Sequence, residues 1–157
     1  MFAEITAWAK EQNKTLHQIL MDIYQEFGLY KEQLVSLTLK GKDGVEQIAQ
    51  MMRNYRSNPP KSIDGSTVKI IHDYQKQETI DIATNKVSMI NQPKSDVLQF
   101  IAEDNTKVSV RPSGTEPKIK FYFGVKSNLK SASELENQLK ELDAKITRII
   151  EELGIKK

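Results

Sequence analysis

The chain has 157 residues, 23 Lys+Arg against 21 Asp+Glu, a net charge of only +2, and no cysteine. That length suits one core, or a small domain with an appendage, and the charge balance argues against nucleic acid or an anionic membrane surface as partner. The missing cysteines exclude disulfides and thiolate metal sites and fit a cytosolic origin, while no signal peptide and no apolar run near the ~20 residues that span a bilayer is visible.

Residues 1–28 read as two helices. Phe2, Ile5, Trp8 and Ala9 form a short apolar stripe, which Asn13-Lys14 interrupts. Thr15 and Gln18 have the spacing of a capping box, and Leu16, Ile19, Leu20, Ile23, Tyr24 and Phe27 then recur at helical intervals. Gly28 is a natural stop. From Tyr30 the pattern changes. Val35, Leu37 and Leu39 alternate with Ser36, Thr38 and Lys40, which reads as a half-buried strand ended by Gly41. Asp43-Gly44 opens the next helix: Asp43 and Glu46 have the spacing of a helix start, Val45, Ile48, Met52 and Tyr55 recur every three or four residues, and Asn58-Pro-Pro60 closes it.

Val68–Tyr74 reads as a second strand. Residues 75–95 carry little pattern, a short strand at Thr79–Ile82 and then a loop through Pro93. Val97–Glu103 and Lys107–Arg111 flank Asp104-Asn105 as a hairpin. In the second of these strands Val108 and Val110 face one side and Lys107, Ser109 and Arg111 the other. Beyond a turn, Ile119, Phe121, Phe123 and Val125 line one face of a further strand, with Lys118, Lys120 and Tyr122 opposite. The chain closes with a helix over 133–153. Ser133 and Glu136 have capping-box spacing, and Leu135, Leu139, Leu142, Ile146, Ile149 and Leu153 form a seam that fits a helix laid over a sheet, with a coiled coil as the alternative.

The densest chemistry lies at Arg111-Pro-Ser-Gly-Thr-Glu-Pro-Lys-Ile-Lys-Phe-Tyr122. Arg111 offers a planar fork of donors with a permanent charge, and Ser113 and Thr115 add hydroxyls. Gly114 lets its backbone N–H approach an anion or take a positive φ, and Pro112 and Pro117 stiffen the turn. The period-two rule puts Arg111 and Lys120 on polar faces flanking this turn; if their strands pair, both cations converge on one anion. A Ser-Gly-Thr turn is not specific alone, and spacing leaves open a tight turn with an incidental arginine.

This stretch resembles the phosphate-binding loop of the α-D-phosphohexomutases, in particular the phosphoglucomutase/phosphomannomutase branch, where it lies in the last of four domains. Leu34-Val-Ser-Leu-Thr-Leu-Lys-Gly41, Asn58-Pro-Pro-Lys61 and Pro93-Lys-Ser-Asp-Val-Leu-Gln-Phe100 are similar to the segments that precede it, so the likeness covers roughly residues 29–126. The resemblance implies an α+β fold, a mostly antiparallel sheet of about four strands with the 43–57 and 133–153 helices on one face, like the TATA-box-binding protein. It also implies that residues 1–28 are a helical hairpin left from the third domain and that 29–157 form the C-terminal phosphate-binding domain. The apolar face of that hairpin, without the third domain's sheet, would seek another partner in the same chain or a second copy.

The family's other signatures are absent: no Asp-Gly-Asp metal loop, no Thr-Ala-Ser-His-Asn-like phosphoserine loop and no Gly-Glu sugar loop occurs. Such enzymes are several times longer, and the expectation is a C-terminal piece of one, with Met1 an imposed start. Carried over by resemblance, Arg111, Ser113, Gly114, Thr115 and Lys120 are the substrate-phosphate ligands, with no catalytic residue and no metal ligand in this chain. Mg2+ and a hexose 1,6-bisphosphate are implied for the whole enzyme. Its partners would be a hexose phosphate and the other three domains, with no nucleic acid and no membrane, in the cytoplasm. The alternative is a stand-alone phospho-ligand-binding module with no catalytic parent. Tyr122 fits either a sugar-stacking ring or a structural one. Glu116 would orient the loop through backbone N–H groups. His17 and His72 are too isolated for a metal site, and Lys61 and Lys126–Lys130 read as solvated surface.

Overall fold

In the computed structural model, residues 1–39 and 41–155 are described, the Lys42 side chain excepted. Lys40, placed in the first strand by its alternation, lies outside the described residues. The elements in chain order are α1 (Phe2–Glu11), α2 (Leu16–Phe27), β1 (Leu29–Thr38), α3 (Gly41–Ser57), β2 (Ser62–Ile63), β3 (Ser66–Asp73), β4 (Glu78–Asp81), β5 (Lys86–Met89), β6 (Leu98–Ala102), β7 (Lys107–Pro112), β8 (Lys118–Ser127) and α4 (Leu135–Glu152). The fold is α+β.

The strands form one antiparallel sheet in the order β1-β8-β7-β6-β3-β4-β5, with β2 paired to β3, eight strands in all. That is twice the size expected from the sequence. The extra strands come from two hairpins. Asp64-Gly65, an Asp-Gly pair that the sequence reading passes over, has φ of 47° and 76° and turns β2 into β3. Such a pair, with both residues at positive φ, is the standard two-residue hairpin turn. The region read as a loop through Pro93 holds β5, whose four residues are all exposed. An edge strand with two wet faces has no hydrophobic alternation to betray it.

One face of the sheet makes the core. Val35, Leu37, Leu98, Phe100, Val108, Val110, Ile119, Phe121, Phe123 and Val125 alternate inward and meet Ile48 and Met52 of α3 and Leu142, Ile146 and Ile149 of α4. Tyr55 packs edge-on against Phe121, with ring centroids 6.3 Å apart. Both helices therefore cover the same face, as expected. The seam of α4 is a sheet contact and not a coiled coil. Its proposed Ser133 cap is replaced by a 3-10 turn over Ala132–Glu134, and the N-cap, Glu134, makes no side-chain capping bond. The Ser133 hydroxyl instead shares a hydrogen bond of 2.8 Å with that of Ser131.

Polar contacts fasten the hairpin tips to α4. Arg148 grips Asp64 through two hydrogen bonds of 2.6 and 2.8 Å, and the Asp64 N–H donates to Glu152 at 2.6 Å. Lys145 pairs with Asp104 in the β6–β7 turn. The Arg148 hydrogen bond holds the Asp64 carboxyl below the usual carboxylate range. At the other end of the sheet, Arg56 of α3 bridges buried Asp73 and Asp96.

The N-terminal hairpin forms as read, with the Thr15–Gln18 capping box present and Gly28 at φ 97° ending α2. Its burial differs. Met21 and Tyr24 turn toward the core and Ala9 and Ile19 are covered, while Phe2, Trp8 and Phe27 stay 80%, 50% and 58% exposed.

Candidate anion-binding cleft

Strand pairing builds the cleft. In the β7–β8 register Arg111 lies directly opposite Lys120, and in the β1–β8 register Ser36 lies opposite Lys120 on its other side. Register partners share a sheet face, so both cations stand on the open face, away from the helices. The intervening turn is closed at its base by the Ser113 N–H, which donates to the Lys118 carbonyl at 2.7 Å. The Leu39 N–H donates to the Pro117 carbonyl at 2.9 Å and moors the turn to the end of β1.

Arg111, Pro112, Ser113, Gly114, Thr115, Lys120 and Tyr122 line a single cleft of about 280 Å³. All five residues assigned to phosphate from the sequence are therefore brought together. Neither Arg111 nor Lys120 enters an ion pair among the described residues. Two adjacent like charges without a carboxylate between them favour an anion. Gly114 has open space where a Cβ would stand, and its φ is not positive. The backbone does not require glycine at this position.

Glu116 departs from expectation. Its carboxylate pairs with Lys118 at 3.0 Å, and that hydrogen bond lowers its pKa. It orients no backbone N–H. Lys118 is thereby paired and does not line the cleft, and the Glu116 carboxylate also feels the charge of Lys120. His17 is exposed, and the Nδ1 of His72 shares a 2.7 Å hydrogen bond with Thr79, its pKa lowered by burial.

The sequence reading missed what lies behind the turn. Val45, Ile48, Ala49 and Met52 of α3, with Asp96, Pro112, Glu116 and Pro117, border a cavity of about 180 Å³ on its other flank. Asp96 is fixed there by Arg56, a contact between distant segments that leaves no local pattern. Among the described residues no group of three or more His, Asp or Glu side chains is gathered in a way that could hold a metal ion.

The family described as "Phosphoglucomutase/phosphomannomutase, C-terminal domain" matches residues 63–142, from the β2–β3 hairpin into α4. The chain belongs to this family. A phosphoglucomutase of Staphylococcus aureus (strain bovine RF122 / ET3-1) is 42% identical over 117 residues, covering 74% of this chain and 21% of that protein. The phosphoglucomutase of strain MRSA252 is 41% identical over the same length. The chain thus spans about a fifth of the length of the curated relatives it matches. Among solved structures, the open form of pp63/parafusin, a phosphoglucomutase from Paramecium, aligns with a TM-score of 0.49 at 17% identity, over 94% of this chain and 25% of that one. The stretch from Arg111 to Tyr122, with Lys120 opposite Arg111 in the β7–β8 register, lies inside the matched region.

Proposed function

We propose that this domain grips the phosphate that is not being transferred in a phosphoglucomutase/phosphomannomutase, an enzyme interconverting hexose 1-phosphate and hexose 6-phosphate through a sugar bisphosphate. The observation that carries the reading is the register pairing of Arg111 with Lys120 beside the Ser113-Gly114-Thr115 turn. Arg111 supplies a bidentate fork, Lys120 a point charge, Ser113 and Thr115 hydroxyls, and the turn at Gly114 a backbone N–H. Residues 1–28 are read as the end of the preceding domain and 29–157 as the phosphate-binding domain.

In the whole enzyme, a cytoplasmic one in this reading, closure of the cleft on the sugar would spend remote phosphate binding on orienting the reacting end and excluding water. The Mg2+ and the phosphoserine would lie outside this chain, while one phosphate of the hexose 1,6-bisphosphate would sit in this cleft and the other at the phosphoserine. The sequence carries neither the family's phosphoserine loop nor its metal loop, so the chain alone should show no turnover with magnesium and glucose 1,6-bisphosphate present.

Titration of inorganic phosphate into the chain, followed by backbone amide NMR, tests the reading. Residues 111–120 should shift, with affinity near the millimolar range: charged contacts of roughly 1.5–3 kcal/mol each are set against the cost of immobilising a small ion. A response confined to another surface would sink it.

A further inference from the structure

The open face of the sheet continues past the cations. One strand step from Lys120 and Arg111, on the same face, stand Tyr122 and Ser109, which are themselves register partners. The next row pairs Glu32, Gly124 and Lys107 across β1, β8 and β7. Gly124 puts no side chain between the carboxylate and the ammonium, and a Cβ there would meet the Lys107 side chain at 3.6 Å. The result is a second hollow of about 330 Å³, lined by Glu32, Leu34, Lys107, Ser109 and Tyr122 among others. Its size is at the low end of ligand sites, and Tyr122 is a wall of both hollows.

From these observations we propose, resting on the phosphate reading above, that this second hollow is a subsite for the hydroxyl-bearing skeleton of the phosphorylated ligand. Its chemistry suits a polyol. Tyr122, 38% exposed, offers a ring face beside Leu34. Glu32 accepts and Lys107 donates, and neither forms an ion pair among the described residues. Ser109 is held in place by the Gln99 amide, which donates to its hydroxyl oxygen at 2.9 Å and leaves the Ser109 O–H free to donate outward. Alternating donors and acceptors around one aromatic face bind vicinal hydroxyls without adding net charge. The spacing also fits. Two residues along a strand are about 6.6–6.8 Å, the reach from a phosphate ester to the far side of a six-membered sugar ring, so a ring on the bound phosphate covers Tyr122 and Ser109, and the long side chains of Glu32 and Lys107 stand one further step along.

The test compares inorganic phosphate with glucose 1-phosphate on the 157-residue chain by amide NMR. Both should shift residues 111–120, and only the sugar phosphate should also shift Glu32, Ser109 and Gly124. It should bind about threefold tighter, the effect of one neutral hydrogen bond. Ser109→Ala and Glu32→Gln should each erase that advantage while leaving the inorganic phosphate affinity unchanged. Equal affinities, with no added shifts at Glu32, Ser109 and Gly124, would overturn the subsite and leave the phosphate cleft standing. Silence at residues 111–120 with both ligands would overturn the two together.

Discussion

Replacing Arg111 is the sharpest way to weigh the cleft. The side chain is exposed, enters no ion pair among the described residues, and faces another cation across the β7–β8 pair. Like charges placed directly opposite on a sheet repel, so Arg111→Ala should leave the melting temperature unchanged or slightly raised. Its effect on phosphate is separate. A hydrogen bond to a charged group is worth about 1.5–3 kcal/mol net, and an open, hydrated cleft belongs at the lower end. A loss of about 1.5–2 kcal/mol weakens binding roughly ten- to thirtyfold, from the millimolar range to tens of millimolar. Arg111→Lys keeps the charge and loses the fork, and should cost about threefold. Lys120→Ala should fall between these two, and Ser113→Ala or Thr115→Ala should cost least, about twofold. NMR titrations at fixed ionic strength measure the whole series. If Arg111→Lys bound phosphate as tightly as the native chain, the bidentate argument would be refuted. If Arg111→Ala did so, the site itself would be.

Gly114→Ala should leave stability unchanged, because a Cβ there meets open space, yet weaken phosphate two- to fivefold by crowding the backbone donor; calorimetry and titration separate the two. Ile146→Ala empties a fully buried position between α4 and the sheet and should cost about 2–5 kcal/mol, read as a lower midpoint of one cooperative thermal transition. A broad, non-cooperative transition in the native chain would contradict the single core. Asp64, its pKa lowered by Arg148, contributes stability above its unfolded pKa near 4 that is lost as pH falls through the folded value. Urea denaturation of Asp64→Asn should therefore show a deficit at pH 6 that closes in acid, with asparagine still tolerating the positive φ of that turn.

Legibility in the sequence followed burial. Strands with one dry face, such as β7 and β8, announced themselves by alternation, and with them came the facing of Arg111 and Lys120. The residues of the cleft were legible because one twelve-residue stretch holds nearly all of them, and because that stretch resembles a known loop. β5, exposed on both faces, had no such pattern. Met21 lies between the apolar positions of its helix and is buried only because β1 and the core happen to lie on that side. Asp96 acquires its place from Arg56, forty positions away, and no local periodicity records such a pairing. The Ser133–Glu136 spacing was a sound cap signal that lost to a tighter turn preceding α4.

The ends of the sheet also impose an order on biogenesis. β1, the first strand of this chain, pairs only with β8 among the described residues, Leu29 against Ser127 and Thr38 against Lys118, and α4 covers both. Contacts this distant in sequence form slowly, since a long loop must close before they return any free energy. As this chain is made, Val35 and Leu37 would wait without their strand partner until β8 had emerged, and Leu142, Ile146 and Ile149 of α4 would close over the sheet last. A chain stopped before Leu135 would leave the part of that apolar face under α4 uncovered, so truncations there should aggregate and require a chaperone.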